Sequence, residues 1–266
     1  MQNMRKGAQI YTVRDYIGTQ EEYVASLRKI ADIGYNSIQT YGWKCSDEEH
    51  KAMLKDFGLT TESVGGDYEQ LLNDPAAVKK AIEQAHFYET DLVSIGTLPV
   101  GLRERREGYL QFADGINNIG AQLKKEGLHL LYHTHALEFF SLGGGDTGWD
   151  LLFRETDPEA FWYCMDTHWI QSGGRNPVDY ILKCKGRLPL VHFKDYKIIG
   201  GASYIEEVIK AFGEVGEGSL NWPAIIEAVR QTEARSCIVE QDNCYGRDPF
   251  ECLKQSYEYL KSLGLK

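Results

Sequence analysis

Short runs of aliphatic, aromatic and β-branched residues alternate eight times with longer stretches of helical apolar spacing, and that alternation limits the fold more than any other feature of the chain. The first unit shows the pattern. Gly7 to Val13 has the composition of a strand. Gln20 to Ile33 then places Tyr23, Val24, Leu27, Ile30 and Ala31 at helical spacing, and Gly34 suits the left-handed turn that ends a helix. Later strands are expected at Ser37 to Tyr41, Leu59 to Val64, Leu92 to Ile95, Leu128 to His135, Phe161 to Asp166, Leu188 to Phe193 and Cys237 to Glu240. Ser46 with Glu49 forms a capping box, and Asp74-Pro75, Asn176-Pro177 and Asp248-Pro249 each join a capping side chain to a proline at the first helical position. Further helices are expected from about Arg105 to Glu126, at Trp149 to Arg154, and from Trp222-Pro223.

Strand and helix in strict alternation imply a parallel sheet, because each crossover must return the chain to the same end of the sheet. Eight such units suit a closed α/β barrel, a (β/α)8 TIM barrel, as one domain over residues 1–266. No G-x-G-x-x-G follows the first strand, which disfavours a dinucleotide-binding open sheet, and no linker or compositional break divides the chain.

Barrels of this kind build their active sites at the C-terminal ends of the strands. Here the fifth expected strand ends in His133, His135 and Glu138, the sixth in Asp166 and His168, the seventh in His192 and Lys194, and the eighth in Glu240 and Asp242. Residues two apart on a strand share a face, so Asp166, His192 and Glu240 can all point into one barrel mouth. Carboxylates are rarely buried unless paired or bound to metal, so Glu138, Asp166, His192 and Glu240 are the expected metal ligands. His133, His135, His168 and Lys194 are the expected substrate-facing groups. The structural alternative is an Asp166–Lys194 pair, a Glu240–Arg14 pair, and His168 packed on Trp169.

Composition narrows the partners. A net charge of −10 argues against a nucleic-acid surface. The one basic cluster, Arg103-Glu-Arg-Arg106, reads as a solvated loop or helix start. No apolar run reaches about 18 residues and no leader pattern opens the chain, so no membrane partner and a cytoplasmic location are expected. Six scattered cysteines without a C-x-x-C pair suggest buried or idle thiols. The loop Gly213-Glu-Val-Gly-Glu-Gly218 either presents backbone N–H groups to an anion or simply turns. A small-molecule substrate is the expected partner, with a homo-oligomer possible.

Several stretches in order resemble one family: Gln9-Ile-Tyr-Thr-Val-Arg-Asp15, Tyr132-His-Thr-His-Ala-Leu-Glu-Phe139, Asp166-Thr-His-Trp169, Val191-His-Phe-Lys-Asp195, Gly216-Glu-Gly218 with Trp222-Pro223, and Val239-Glu-Gln-Asp242. The chain resembles the sugar phosphate isomerase/epimerase family, the xylose-isomerase-like barrels. The resemblance implies one divalent cation (Mn2+, Mg2+ or Zn2+), with Asp166, His192 and Glu240 matching ligands from strands six to eight. Relatives carry a glutamate within strand five, where this chain has His133 and offers Glu138 just beyond. Gln39 stands where many relatives have a second-strand glutamate, and is expected to meet a substrate hydroxyl. The implied activity is isomerisation or epimerisation of a sugar, keto-sugar or cyclitol through an enediolate, with Glu138 or Glu240 moving the proton. A dehydratase or lyase on the same scaffold, or a non-catalytic sugar-binding barrel, are the alternatives.

Overall fold

The computed structural model describes residues 4–40, 42–200 and 209–265. In chain order its strands are β1 (Arg5–Gln9), β2 (Ser37–Gln39), β3 (Thr60–Thr61), β4 (Val64–Gly65), β5 (Leu92–Ile95), β6 (His129–His133), β7 (Phe161–Asp166), β8 (Leu190–Phe193), β9 (Asp195–Ile199), β10 (Ile209–Gly213) and β11 (Ser236–Val239). All but β9 and β10 form one parallel sheet ordered β3-β2-β1-β11-β8-β7-β6-β5-β4. The two ends of that order, β3 and β4, are halves of the single strand expected at Leu59 to Val64. Thr60 and Thr61 pair with β2, whereas Val64 and Gly65 pair with β5. Between them the Glu62 N–H bonds the Ile38 carbonyl at 2.9 Å, and beyond them the Gly66 N–H bonds the Ser94 carbonyl at 2.8 Å. One strand thus passes from its first neighbour to its second and closes the barrel.

Helices α1 (Gln20–Ile33), α2 (Asp47–Asp56), α3 (Tyr68–Asn73), α4 (Pro75–Tyr88), α5 (Arg106–Lys124), α6 (Gly148–Glu155), α7 (Thr167–Ser172), α8 (Pro177–Lys183), α9 (Trp222–Arg230) and α10 (Pro249–Ser262) make the outer layer. The expected capping box of α2 is formed, with Ser46 Oγ accepting from Glu49 N and Glu49 from Ser46 N. Asp74, Asn176 and Asp248 each cap a helix that begins with proline. Among the described residues no helix is long and apolar enough to cross a membrane.

Two apolar layers are separated by the sheet. The larger, with Leu130, Tyr132, Tyr163, Met165, Val191, Phe193 and Val239, lies between strands and helices. The smaller joins Leu92, Leu131, Cys164, Leu190 and Ile238. These five alternate with the first set along their strands, so they fill the barrel itself. Packing there is tight enough that a Cβ on Gly7 of β1 would lie 2.4 Å from Ile238 Cδ1. Two residues on from Leu131, Cys164, Leu190 and Ile238 come His133, Asp166, His192 and Glu240. The polar groups are therefore the next layer up on the same inner face, with the apolar layer as their floor.

The structure departs from the expected elements where polar side chains redirect the backbone. β1 stops at Gln9, whose side-chain oxygen accepts from Tyr11 N at 3.3 Å and opens a 3-10 helix over Ile10–Tyr16. α7 follows β7 without a loop because Asp166 is its N-cap. The long connection after β8 carries the antiparallel β9–β10 pair outside the barrel; the part of it at 201–208 lies outside the described residues.

Candidate metal centre and cleft

At the C-terminal mouth, parallel registry sets the cluster's spacing: Asp166 on β7 stands opposite His192 on β8. His133 ends β6, and the Glu240 N–H continues the ladder of β11 to the Phe193 carbonyl at 3.2 Å. One ligand atom from each of His133, Asp166, His192 and Glu240 falls within 4.8 Å of the others. His133 Nε2 is 3.2 Å from Asp166 Oδ2, and His192 Nδ1 is 2.9 Å from Glu240 Oε2 and 3.9 Å from Asp166 Oδ2. Asp166 divides its work: Oδ1 accepts from Trp169 N at 3.0 Å to start α7, leaving Oδ2 for the cluster.

Lys194, 1% exposed, reaches Asp166 Oδ2 at 3.2 Å, Glu240 Oε2 at 2.9 Å and Asp242 Oδ1 at 3.0 Å. Its backbone is pinned, with Lys194 N donating to Thr167 Oγ1 at 3.0 Å and that hydroxyl donating to the Lys194 carbonyl at 2.8 Å. Burial alone would lower the ammonium's pKa, but Asp166, Glu240 and Asp242 outweigh it and hold the charge. Burial likewise pushes Asp166 and Glu240 up, and Lys194 with the neighbouring imidazoles pulls both well below the carboxylate range. Asp242 goes the other way, raised by burial and by Glu240 beyond what Lys194 offsets.

Two imidazoles and two ionised carboxylates within one small sphere suit a divalent cation, with the Lys194 ammonium now seated on Asp166 Oδ2 and Glu240 Oε2. The outer contacts fit as well. His192 Nε2 meets Gln39 Oε1, which also accepts from Gln9 Nε2 at 3.2 Å, while Gln39 Nε2 donates to Ser63 Oγ at 3.1 Å. On its other side, His192 Nδ1 faces Glu240 Oε2 at 2.9 Å, so the ring bridges the carboxylate and the Gln39 amide, and a cation bound at Nδ1 would leave the ring proton on Nε2 toward Gln39. Gln39 was expected to meet substrate; it lines the cleft but its amide is engaged by His192, Gln9 and Ser63.

Glu138 was expected as the fourth ligand and as a proton carrier, and the structure does not bring it to the cluster. It is fully buried in the 3-10 turn Ala136–Phe139, with Oε1 accepting from the Tyr132 hydroxyl and Oε2 from His135 N at 2.7 Å. Burial pushes its carboxyl up to about 7 against those two donors. His133, expected to face substrate, takes the strand-five place instead. His168 is also redirected: because β7 ends at Asp166, it sits on α7 rather than two along a strand. It is buried against Phe212, ring centroids 4.4 Å apart, with Nδ1 2.8 Å from the Asp195 carbonyl. The expected alternative of a Glu240–Arg14 pair does not form, since Arg14 bonds the Tyr11 carbonyl at 3.0 Å.

Above the cluster is a cleft of about 780 Å3 lined by Gln39, His133, His135, His192, Lys194, Glu240 and Asp242, and on another side by Gly65, Gly66, Asp67 and Arg103. His135 Nδ1 is buried there without a hydrogen-bond partner among the described residues, and burial, with His133, lowers the imidazole to about 3 and keeps it neutral. Arg103 belongs to the basic cluster read from the sequence as a solvated loop or helix start, yet its side chain lines this cleft. The signal that would have found it is its place after the fourth strand, at the catalytic end of the barrel. The glycine-rich loop holds an anion, but its own: Asp195 accepts from Gly216 N at 2.9 Å, Gly218 N at 3.1 Å, Tyr196 N at 2.7 Å and Trp222 Nε1 at 2.6 Å.

Fold and cluster together define a (β/α)8 barrel with a two-histidine, two-carboxylate group at its catalytic end. The family model for the xylose isomerase-like TIM barrel matches residues 27–263, and the chain belongs to that family. An inosose dehydratase of Bacillus cereus (strain AH820) is 25% identical over 169 residues, covering 58% of this chain and 54% of that relative. The chain thus spans about half the length of that curated relative. A sugar phosphate isomerase/epimerase structure from Parabacteroides distasonis superposes with a TM-score of 0.80 at 21% identity, covering 100% of this chain and 96% of that one. A probable 3-DHS dehydratase from Bacillus anthracis gives a TM-score of 0.70 at 15% identity, covering 97% and 99%. At those identities the structural likenesses establish the fold.

Proposed function

We propose that this protein is a divalent-cation-dependent enzyme that removes the proton beside the carbonyl of a sugar, keto-sugar or cyclitol. The carrying observation is the convergence of His133, Asp166, His192 and Glu240 on one point at the floor of the cleft. A cation held by these four would supply Lewis-acid polarisation of a carbonyl oxygen. Glu240 is the residue to take the proton: it lines the cleft, Oε2 is held by Lys194 and His192, and Oε1 has no hydrogen bond among the described residues. Lys194 keeps Glu240 ionised and places a cationic N–H beside developing negative charge. His135, neutral and with Nδ1 unpartnered among the described residues, is the group to orient a substrate hydroxyl.

Of the reactions open after that step, elimination of water fits the cleft best. It can run with one carrier, Glu240, which takes the proton from carbon and returns it to the departing hydroxyl, whereas inversion needs a carrier on each face of the carbon. Glu138, the expected second carrier, is occupied by Tyr132 and His135. The dehydratase name of the curated relative supports the same choice. Isomerisation or epimerisation is the second reading, and Asp242 favours it as a second carboxylate lining the cleft, 3.0 Å from Lys194 Nζ and raised in pKa by burial and Glu240. Incubating the Mn2+-loaded protein with scyllo-inosose, 3-dehydroshikimate, and ketopentoses such as ribulose separates the readings. A product lighter by one water supports elimination; one of unchanged mass supports isomerisation; no turnover of any with metal bound would overturn both.

A further inference from the structure

The cleft has a second cation, and its position follows from the barrel. Arg103 lies in the loop after the fourth strand, β5, and in an eight-stranded barrel that strand stands across the mouth from the eighth, β11, which leads into Glu240 and Asp242. The two basic groups of the cleft differ in what they hold. Lys194 is saturated by three carboxylates. Arg103 makes only neutral contacts among the described residues: Nε donates to the Leu98 carbonyl at 3.0 Å and Nη2 to Thr97 Oγ1 at 3.3 Å. A guanidinium has five donors, so the fork retains unused N–H groups. Asp67, the acid on the same side, is committed to capping α3 through Gln70 N at 2.9 Å.

The guanidinium is also held in place. Leu98, which accepts from Arg103 Nε, donates its own N–H to the Tyr132 hydroxyl at 3.1 Å, and that hydroxyl donates to Glu138. Glu138 in turn receives His135 N at 2.7 Å. On the other side, Glu104 adopts a left-handed φ of +62°, and a Cβ on Gly108 of α5 would lie 2.0 Å from the Leu102 carbonyl oxygen. The chain beside Arg103 is thus seated closely on α5 and held in a conformation that non-glycine residues rarely adopt. A half-buried arginine, tethered by its Nε, with open donors toward a cleft is the arrangement that recognises a bound oxyanion.

We propose that Arg103 binds an oxyanion substituent, carboxylate or phosphate, at the end of the substrate away from the cation cluster, with Glu138 as the positioning residue that holds both the Arg103 loop and His135. This rests on the function proposed above and narrows it to acidic sugars or cyclitols. Calorimetry on the Mn2+-loaded protein with matched pairs tests it: quinate against myo-inositol for a carboxylate, ribulose 5-phosphate against ribulose for a phosphate. At least one anion should bind roughly ten- to hundredfold tighter than its neutral partner. The pair that shows the difference identifies the oxyanion. Arg103→Met should erase the preference, and Arg103→Lys, which keeps the charge without the fork, should retain part of it, a measurement that stands even if the methionine variant does not fold. Equal binding within both pairs, or a preference that survives Arg103→Met, would overturn the proposal. Failure of Mn2+ itself to bind would instead overturn the metal reading, so the two failures are distinguishable.

Discussion

Removing the Lys194 ammonium exposes the electrostatic design of the mouth more sharply than any other single change. Lys194→Met keeps most of the side-chain volume and leaves Asp166, Glu240 and Asp242 without the cation that lies 2.9 to 3.2 Å from each. At about 3 Å and an effective dielectric near 20, each contact is worth roughly 5 kcal/mol of gross attraction. Desolvation of the buried ions offsets most of that, and breaking a buried pair from one side costs a net of about 3–5 kcal/mol. For a chain of this size roughly 2–4 °C of Tm is lost per kcal/mol, so the metal-free variant should melt about 10 °C below wild type. The penalty should shrink in acid, where the three carboxyls can take protons. Mn2+ should restore the variant more than it stabilises wild type, because the cation supplies the missing charge; even an ordinary site adds about 2.7 kcal/mol at a hundredfold excess over Kd. Differential scanning calorimetry at pH 7, with and without Mn2+, gives both numbers. A metal-free variant melting with wild type, or a smaller Mn2+ shift in the variant, would refute the reasoning.

Other expectations follow from neighbouring contacts. Gln39→Leu removes the acceptor for His192 Nε2 and should weaken Mn2+ binding about 10–100-fold, while Gln39→Glu, which keeps an acceptor there, should hold it; isothermal titration separates the two. Glu138 has its folded pKa raised from 4.5 to about 7, so its contribution to stability is complete below about pH 4.5 and lost as pH rises through about 7. The full span is about 3 kcal/mol, seen in urea unfolding at stepped pH, and the slope should flatten in Glu138→Gln. Asp195→Ala strands the N–H groups of Gly216, Gly218 and Trp222 and should cost about 3–5 kcal/mol, with new protease cleavage between residues 213 and 222 by mass spectrometry.

The barrel was legible because its signal is repeated: alternating runs, proline-initiated helices and capping boxes are local and agree with one another. Phe161–Asp166 and Leu92–Ile95 match the expected strands residue for residue. Asp166, His192 and Glu240 were legible for the same reason, since strand alternation fixes which face a residue takes. Side-chain direction stopped being legible where alternation stopped. β6 ends at His133 and β7 at Asp166, so what lies beyond follows turn and helix geometry, which sequence spacing alone does not reveal. Glu138 then turns down to meet Tyr132, and His168 turns away to meet Phe212. Arg103 was hidden differently: an arginine in a basic, loop-like stretch looks solvated until the barrel places that loop over the mouth.

The central claim is that His133, Asp166, His192 and Glu240 hold one divalent cation. Titrating metal-stripped protein with Mn2+ tests it most directly, with His192→Ala and Asp166→Ala alongside and circular dichroism to confirm the fold. The structure leads to one ion per chain for wild type and a loss of stoichiometric binding in both variants. Folded variants that still take up one equivalent at wild-type affinity would contradict it.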